Sequence, residues 1–435
     1  MMQSSAYHPD RAVFIVDGLR TPFLRAAGRP NEFSASDLAV AASRPLLARQ
    51  PIEPMDLDEV VLGCAMPSPD EANIGRILAL RAGCGHKVPG WTVMRNCASA
   101  MQALDSAAKD INSGRADLVL AGGTEAMSRA PLLYNDTAVN WFADSARARS
   151  AGAKVKTLAK MPMRAFLNPV IGLIRGLNDS TINVNMGQTC EIISHRFAVS
   201  REDMDAYSVQ SHLRLADAFD EGRMTEVTDL YSPKGTVYTE DTGLRRDSSV
   251  EKLARLKPAF DRRVGIVTPG NSSQITDGAA MLLLASEDAV HKYDLKPLGR
   301  LVDVAWAALD PAQMGLGPVH ASTPLLQRHS LSFDDIDIWE INEAFAGQVL
   351  ACRNAWKDET YCRQELGLPG ALGELDMAKL NVDGGAISIG HPVGASGSRI
   401  TLHALQVLQQ RQAKRAVATL CIGGGQGGAM LVERV

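Results

Sequence analysis

The sequence predicts an α/β protein made of two similar βαβ-type halves with a region inserted between them. Strand-like and helix-like segments alternate over the first 130 residues, and the same order returns near the C-terminus. The two halves also contain similar segments, because Leu118-Val-Leu-Ala-Gly-Gly and Ala418-Thr-Leu-Cys-Ile-Gly-Gly both place an apolar run before glycines. Since strands that alternate with helices usually pair in parallel, we expect a parallel sheet covered on both faces.

The elements of the first half follow from local patterns. The β-branched apolar run at residues 12–16 predicts a strand that ends at Asp17-Gly18. Residues 36–48 have helical spacing, with Ser36 or Asp37 as the cap. Residues 60–63 predict a second strand, residues 98–111 a helix, and residues 117–121 a strand that runs into two glycines.

The second half repeats this order, with a strand at 336–339, a helix at 395–410 and a strand at 416–421. Between the halves the rhythm breaks. A capping box at Ser200 and Asp203 predicts a helix over 204–218, and residues 231–244 are turn-rich. We therefore expect one half in residues 11–130 plus 271–295, a loop domain in 131–270, and the other half in 296–435.

Residues 147–175, the basic segment, carry seven basic side chains and no acidic one. Apolar residues are interleaved with the charges, and Pro162 and Pro169 interrupt the pattern. Basic amphipathic helix pieces of this kind lie on an anionic membrane surface or dock a partner protein. The alternative is a solvated flap whose apolar face packs on its own protein.

Composition excludes several classes of protein. The net charge of −4 gives no positive field for nucleic acid. Seven cysteines without a Cys-x-x-Cys pair form neither a zinc-ligand pattern nor a fully paired secreted framework, and they indicate reduced thiols. Residues 1–10 lack the pattern of a signal peptide, and no apolar run approaches the roughly 18 residues of a membrane span. We expect a cytoplasmic enzyme without a bound metal.

Three residues form a candidate catalytic set for acyl transfer through a thioester. Cys97 falls at the start of a predicted helix, where free N–H groups and the helix dipole stabilise a thiolate. His391 lies in a glycine-rich stretch and can take the Cys97 proton. Cys421 ends a predicted strand at a second glycine-rich turn, where another thiol can serve as acid and base.

Backbone N–H groups at the Cys97 helix and in the turn that begins at Gly423 can form oxyanion holes, and Asn342 can hold a water for another. The same turn matches Gly-x-Gly-x-x-Gly, the dinucleotide fingerprint. That fingerprint requires a following helix and a second strand, for which the sequence after Gly428 leaves no room. We therefore expect no nucleotide cofactor.

Six motifs, in order and spread over nearly the whole chain, are similar to those of the thiolase family. They are Asn96-Cys-Ala-Ser-Ala-Met101, Gly122-Gly-Thr-Glu-Ala-Met-Ser128, Gly270-Asn-Ser-Ser273-Gln-Ile-Thr-Asp-Gly-Ala-Ala280, Asn342-Glu-Ala-Phe345, Gly390-His-Pro-Val-Gly-Ala-Ser-Gly397 and Cys421-Ile-Gly-Gly-Gly-Gln-Gly427. The resemblance implies the thiolase fold, a layered αβαβα core of two βαβ-type halves with a loop domain over the active site.

The resemblance also implies the chemistry. It implies thiolytic cleavage of 3-oxoacyl-CoA to acyl-CoA and acetyl-CoA, as in fatty-acid β-oxidation, with coenzyme A as co-substrate and no permanently bound cofactor. Cys97 would be acylated, His391 would activate it, and Cys421 would move the α-carbon proton. Asn342 would bind the water of one oxyanion hole, and the Cys97 and Gly423 amides would form the other. Ser273, Met186 and Phe345 would line the coenzyme A and acyl pocket.

The basic segment resembles that of the thiolase subunit of the fatty-acid trifunctional complex, which associates with an α-subunit and with membrane. Thiolases are commonly homodimers or tetramers. Three positions depart from the family pattern: Asn185 replaces a histidine of short-chain biosynthetic members, Cys190 replaces an alanine, and Asp383 adds a carboxylate beside the His391 loop.

Four alternatives remain open. An acetoacetyl-CoA thiolase would run the reverse Claisen condensation. A β-ketoacyl synthase would use one cysteine and two histidines, whereas here the third position is Cys421. A non-catalytic relative would not need the combination of Cys97, His391, Cys421 and Asn342. A nucleotide-dependent dehydrogenase is disfavoured because the fingerprint lacks its structural context.

Overall fold

The computed structural model describes residues 11–435, so the expectation for residues 1–10 falls outside the described part. The strands are β1 (Val13–Arg20), β2 (Leu24–Arg25), β3 (Glu59–Gly63), β4 (Gly90–Val93), β5 (Leu118–Ala126), β6 (Leu132–Leu133), β7 (Val170–Ile171), β8 (Asn178–Asp179), β9 (Val184–Asn185), β10 (Leu230–Tyr231), β11 (Val237–Tyr238), β12 (Thr276–Ser286), β13 (Gly299–Ala308), β14 (Ile338–Ile341), β15 (Arg415–Ile422) and β16 (Gln426–Arg434).

The α-helices are α1 (Ala35–Ala48), α2 (Ile74–Arg81), α3 (Ser99–Asn112), α4 (Asp136–Arg147), α5 (Ala151–Ala159), α6 (Met163–Leu167), α7 (Gly172–Gly176), α8 (Met186–Arg196), α9 (Arg201–Asp220), α10 (Val250–Ala254), α11 (Glu287–Lys292), α12 (Gly317–Arg328), α13 (Ala346–Lys357), α14 (Glu359–Glu365), α15 (Ala386–Ile389) and α16 (Ser396–Arg411). Short 3-10 helices occupy Pro54–Asp56, Pro69–Glu71, Met127–Arg129 and Pro311–Leu316.

One sheet of ten strands runs through the described part of the molecule. Its order is β14-β15-β16-β13-β1-β12-β5-β3-β4, and β2 pairs with β12 beside this path. The order within the first half, β1-β12-β5-β3, repeats in the second half as β13-β16-β15-β14. The expected duplication of two similar halves is therefore confirmed at the level of strand order.

The expectation of an all-parallel sheet is wrong. Only β3–β4, β3–β5 and β14–β15 pair in parallel, and the strands between them pair antiparallel. The reason is the connection after β5 and after β15. A short glycine turn returns the chain from β15 directly into β16, and residues 127–275, here named the loop region, return it from β5 into β12.

The two halves of this continuous sheet form two β layers, and the helices on their faces complete five layers of the αβαβα type. Helices α1 and α2 cover the outer face of the first half, in a cluster with Leu38, Leu62 and Leu283. Helices α3 and α16 lie between the two halves and pack against each other. Helices α12 and α13 cover the outer face of the second half, around Trp339 and Trp356. Cys97 and His391 lie before the N-termini of the central helices α3 and α16, and Cys421 lies at the end of β15.

Several boundaries differ from expectation. Strand β1 continues through Asp17-Gly18 to Arg20, with a bulge after Ile15, because β12 pairs with it along its whole length. Strand β5 likewise continues through its two glycines. Helix α1 is capped by Ser34, which forms a capping box with Asp37, and not by Ser36 or Asp37.

The capping box of Ser200 and Asp203 at the start of α9 is confirmed.

The basic segment forms α5, α6 and α7, separated near Pro162 and Pro169 as the sequence predicts. Large apolar side chains on and beside it are exposed, including Leu132, Val155, Leu158, Leu167 and Ile174. Across residues 11–435, no helix combines the length and the apolarity needed to cross a membrane.

Candidate active site

Cys97 lies in a tight turn between β4 and α3. Asn96 adopts a left-handed backbone conformation (φ 45°), and the Ala98 N–H donates to the carbonyl oxygen of Arg95 over 2.9 Å. Ser99 locks the turn, because its Oγ accepts from the Arg95 N–H (2.9 Å) and donates to the Asn96 carbonyl (2.7 Å). Cys97 is thus held directly before the first turn of α3, at the positive end of the helix dipole.

A cavity of about 290 Å³ opens over Cys97. The second half contributes Val393 and the turn residues Gly423 and Gly424 to its wall. The rest of the wall comes from the first half and the loop region and consists of Ala65, Met66, Asn96, Met127, Leu173, Gly176, Leu177, Asn178, Asp179, Ser180, Thr181 and Met186. The basic segment therefore reaches the cavity through Leu173, on α7.

The turn after β15 faces the Cys97 turn. Asn96 Nδ2 donates to the Gly423 carbonyl oxygen over 2.9 Å, and the backbone of Gly423 hydrogen-bonds the Cys97 sulfur. Gly424 and Gly425 adopt positive φ values of 92° and 75°, which glycine reaches without strain. Burial raises the pKa of the Cys97 thiol, and the Gly423 hydrogen bond opposes that rise by stabilising the thiolate.

Cys421 lies directly behind this turn and is almost fully buried. It belongs to an apolar cluster with Cys190 and Phe345, against which Met186 packs. Burial raises its pKa well above the ordinary value, and the negative charge of a Cys97 thiolate raises it further. The two neighbouring thiols therefore differ in how readily they ionise. A hydrogen bond from Gly423 stabilises the thiolate of Cys97, whereas Cys421 stays protonated beside it.

His391 is buried in the loop before α16. The Ser396 hydroxyl donates to the Pro392 carbonyl (3.1 Å) and lies 2.6 Å from His391 Nδ1, so it accepts the Nδ1–H and leaves Nε2 unprotonated. Burial, and then the positive charge of Arg399, lower the His391 pKa to about 3. The imidazole is therefore neutral, and the same burial that keeps it neutral makes it a weak base.

Asn342 follows β14, and its Nδ2 lies 3.5 Å from His391 Nδ1. Its Oδ1 has no hydrogen-bond partner among the described residues. The next residue, Glu343, accepts hydrogen bonds from Tyr207 (2.8 Å), Ser211 (2.8 Å) and Asn381 Nδ2 (2.9 Å). Glu343 thus fixes the Asn342 loop to the loop region and to the segment before His391.

The expected pocket residues occupy different places. Met186, the first residue of α8, lines the cavity. Phe345 lies in the Cys421 cluster, edge-on to Phe260 with ring centroids 5.9 Å apart. Ser273 donates its backbone N–H to the Ala344 carbonyl (2.9 Å), next to Phe345, and does not line the cavity.

Glu125 is a buried carboxyl group near Cys97 that the sequence showed only as part of a motif. It accepts hydrogen bonds from the backbone N–H groups of Ala65 (2.9 Å) and Met66 (3.0 Å) and from the backbone of Gly394. Burial raises its pKa to about 7. Glu125 therefore connects one wall of the cavity to the loop that carries His391.

Two departures from the family pattern now have a location. Asp383 is not paired with His391, because its carboxylate binds Arg223 Nε over 3.0 Å and lies 3.6 Å from His403 Nε2. Cys190 packs beside Cys421 in the apolar cluster, and burial raises its pKa to about 12.

All seven cysteines are free thiols, and no group of His, Cys, Asp and Glu in residues 11–435 is arranged to hold a metal ion.

The dinucleotide fingerprint does not have its structural context. The glycines after Cys421 form a turn into the antiparallel strand β16, and no helix opens there. A nest of N–H groups at a helix N-terminus, which binds a pyrophosphate, is therefore not formed at these glycines.

Comparison with known proteins agrees with this geometry. Family models for the N-terminal and the C-terminal domain of thiolase match residues 13–288 and 295–434. A 3-ketoacyl-CoA thiolase of Yersinia enterocolitica is 35% identical over 424 residues, which cover 97% of this chain and 96% of that protein. A Yersinia pestis 3-ketoacyl-CoA thiolase is 36% identical over 427 residues, covering 98% and 97%.

Solved structures are similar over the whole chain. Human mitochondrial 3-ketoacyl-CoA thiolase in complex with CoA superimposes with a TM-score of 0.85 at 33% identity, covering 100% of both chains. The Bacillus anthracis acetyl-CoA acetyltransferase gives a TM-score of 0.82 at 34% identity, covering 99% of this chain and 100% of the other. Fold and relatives define an acyltransferase. The chain belongs to the thiolase family.

Proposed function

We propose that this protein cleaves 3-oxoacyl-CoA with coenzyme A, giving acyl-CoA and acetyl-CoA through an acyl-Cys97 thioester, in fatty-acid β-oxidation. The observation that carries the proposal is the arrangement at Cys97. The Gly423 backbone is hydrogen-bonded to the Cys97 sulfur, and Cys97 lines the cavity. Cys421 lies close enough for its pKa to be raised by a Cys97 thiolate. The relatives named above as 3-ketoacyl-CoA thiolases support the choice of substrate.

In the first step His391 Nε2 takes the proton from Cys97 Sγ, and the thiolate attacks the 3-keto carbon of the substrate. The amides of Cys97 and Gly423 donate to the oxyanion that forms. The bond between carbons 2 and 3 then breaks, and the released acetyl-CoA carbanion takes the Cys421 proton. The acyl group remains on Cys97 as a thioester, so that one difficult reaction becomes two easier ones.

In the second step the thiol of coenzyme A loses its proton to the Cys421 thiolate and attacks the Cys97 thioester. Acyl-CoA leaves, the expelled Cys97 thiolate takes its proton back from the His391 imidazolium, and both cysteines and the imidazole return to their starting protonation states. Asn342 holds the water that, with His391, stabilises the enolate oxygen of the acetyl unit. Coenzyme A is a substrate here, and no permanently bound cofactor takes part.

The cavity favours a degradative thiolase over one specific for acetoacetyl-CoA. Its apolar wall includes Met66, Met127, Leu173, Leu177 and Met186, which suits an acyl chain longer than two carbons. Asn185, which stands where short-chain relatives have histidine, is occupied as the N-cap of α8 in a capping box with Gln188. The runner-up is an acetoacetyl-CoA thiolase that runs the Claisen condensation.

The partners are also part of the proposal. Strand β4 is an edge strand with no neighbour beyond it among the described strands, and Met94 next to it is 61% exposed. Unpaired edges are sites of association, which supports a homodimer or tetramer formed at this edge. The exposed apolar side chains of the basic segment support binding of an α-subunit or of an anionic membrane surface by a cytoplasmic enzyme.

The test is the cleavage of acetoacetyl-CoA and of 3-oxohexadecanoyl-CoA, followed as loss of the enolate absorbance. We expect activity on both, with the longer substrate preferred, and no activity in Cys97→Ala. Cys84→Ala, a buried cysteine away from the cavity, is the matched control and should keep wild-type activity. Equal activity of Cys97→Ala and wild type would refute the proposal, and a preference for acetoacetyl-CoA would favour the runner-up.

A further inference from the structure

One buried ion pair joins the two segments that hold His391. Arg399 Nη1 donates to Glu340 Oε2 over 2.9 Å, and both side chains are almost fully buried. Arg399 lies on α16 one turn after Ser396, the residue that is hydrogen-bonded to His391. Glu340 lies on β14 two residues before Asn342. The pair therefore spans the strand and the helix that place the candidate base.

The charge of Arg399 is only partly matched. Its Nε and Nη2, and Oε1 of Glu340, have no hydrogen-bond partner within the described part of the chain. The positive charge of Arg399 acts on His391, after burial, as the second cause that disfavours the imidazolium. No carboxylate is hydrogen-bonded to His391 itself in residues 11–435.

Other charged groups face the pair from each neighbouring element. Those acting on Glu340, besides Arg399, are His403 on α16, Glu343 after β14 and Asp383 in the loop before α15. Those acting on Arg399, besides Glu340 and Glu343, are Arg20 on β1 and Glu226 in the loop region. His403 is hydrogen-bonded to Glu226 (2.9 Å) and Arg20 to Asp241 (2.7 Å), so these groups are largely paired with each other.

We propose that Glu340 is a positioning residue that sets the basicity of His391 by balancing the charge of Arg399. This inference rests on the proposed function, in which His391 takes the Cys97 proton. When Glu340 is ionised, it offsets Arg399, and the imidazolium that forms as the Cys97 S–H bond breaks is tolerated. When Glu340 is neutral, the unmatched Arg399 charge opposes proton transfer to His391.

Glu340 gains and loses its proton near neutral pH, where the activity of an enzyme can be measured. Burial raises its pKa to about 7, whereas that of His391 is lowered to about 3. Between pH 5.5 and 8.5 His391 therefore stays neutral while Glu340 ionises. Cys97 thiolate formation should accordingly rise as the pH passes 7, although the base itself does not titrate there.

The test is the rate constant for alkylation of Cys97 by iodoacetamide, read by mass spectrometry of the Cys97 peptide between pH 5.5 and 8.5, alongside kcat/KM. Every variant should react about tenfold faster per pH unit, because the Cys97 thiol, whose pKa is raised, itself ionises. On top of this increase, wild type should show a further step centred near pH 7, and this step is the rise that is compared between the variants. Glu340→Gln should lack this rise and react roughly tenfold more slowly at pH 8, the effect of about one pKa unit. Glu340→Asp, which keeps a carboxylate, should retain the rise.

The double variant Glu340→Gln with Arg399→Gln removes both charges. It should also lack the rise. Its rate constant at pH 8 should nevertheless return to within about threefold of wild type, because the unmatched Arg399 charge that slows Glu340→Gln is absent. An unchanged rise near pH 7 in either glutamine variant would overturn the inference, even if Glu340→Gln alone folded poorly. Failure of the proposed function is distinct, because wild type would then show no thiolysis at all.

Discussion

Asn96 Nδ2 donates a hydrogen bond to the backbone carbonyl oxygen of Gly423 over 2.9 Å. This contact joins the nucleophile turn of the first half to the glycine turn of the second half, 327 residues away in the chain. Because the Gly423 backbone also contacts the Cys97 sulfur, the bond fixes the position of the proposed oxyanion-hole donor. The candidate active site is therefore assembled across the interface between the two halves.

Asn96→Gly and Asn96→Ala separate the two roles of Asn96. Both lose the bond to Gly423, and both should lower kcat about tenfold or more, because a small misplacement of catalytic groups is costly. Only alanine is also strained at the positive φ, by about 1 kcal/mol. Kinetics and urea unfolding of both variants check this. Wild-type kcat in both variants would show that the contact does not position the site.

Cys421→Ala should separate carbon–carbon cleavage from acyl transfer. Without the Cys421 proton, cleavage of 3-oxoacyl-CoA should fall by about 10² to 10⁴, the usual range of general acid catalysis. Acylation of Cys97 by a simple acyl-CoA, measured as exchange of labelled coenzyme A, should fall far less, because the only proton that Cys421 moves there is that of the coenzyme A thiol, which water can also accept.

Cys190→Ala is the matched control for that experiment, since Cys190 lies in the same apolar cluster. It should keep both activities within a few-fold of wild type. A parallel loss of cleavage in the two variants would assign the effect to packing in the cluster and not to the Cys421 proton.

Local motifs revealed more of the site than of the sheet. Cys97, His391 and Cys421 stand in glycine-rich or helix-start settings that local pattern can recognise, and the capping box at Ser200 needs only four residues. Strand direction, in contrast, depends on the length and path of the connection after each strand. The sequence does not show that β15 folds back directly whereas β5 returns only after the loop region, so it does not predict the antiparallel centre of the sheet.

Partners that are distant in sequence could not be predicted either. Asn96 contacts Gly423, and Asp383 binds Arg223 and not His391. Such pairs follow from the packing of the halves and the loop region, for which a single sequence gives no signal. Ser396 could have been found, because a hydroxyl five residues after His391 at a helix start is a plain candidate to orient the imidazole.

Glu125 should make the free energy of unfolding depend on pH between 4.5 and about 7. Its pKa is about 7 in the folded protein against 4.5 in the unfolded chain, so its stabilising contribution is present below pH 4.5 and is lost as the pH rises through 7. The free energy of unfolding of wild type, relative to Glu125→Gln, should fall by roughly 3 kcal/mol over that range. Urea unfolding at pH 4.5, 6 and 8 measures it, and a constant difference would contradict the assignment.

His403 should make the stability of the folded protein depend on pH in the alkaline range. Interaction with Glu226 raises the pKa of buried His403 to about 9, although burial alone would lower it. Because the folded pKa exceeds the ordinary 6.5, the stabilisation is complete below pH 6.5 and is lost as the pH rises through 9. Wild type should therefore lose stability relative to His403→Gln between pH 6.5 and 9.5, as thermal unfolding can show. Parallel curves for the two proteins would refute this.

The acyl-Cys97 thioester is the central claim, and it can be observed directly. Wild type would be mixed with 3-oxohexadecanoyl-CoA in the absence of free coenzyme A, quenched in acid and digested for mass spectrometry. We predict a tetradecanoyl mass addition on the Cys97 peptide that disappears when coenzyme A is added before the quench. Cleavage of the substrate without an adduct on Cys97, or with the adduct on Cys421, would contradict the account.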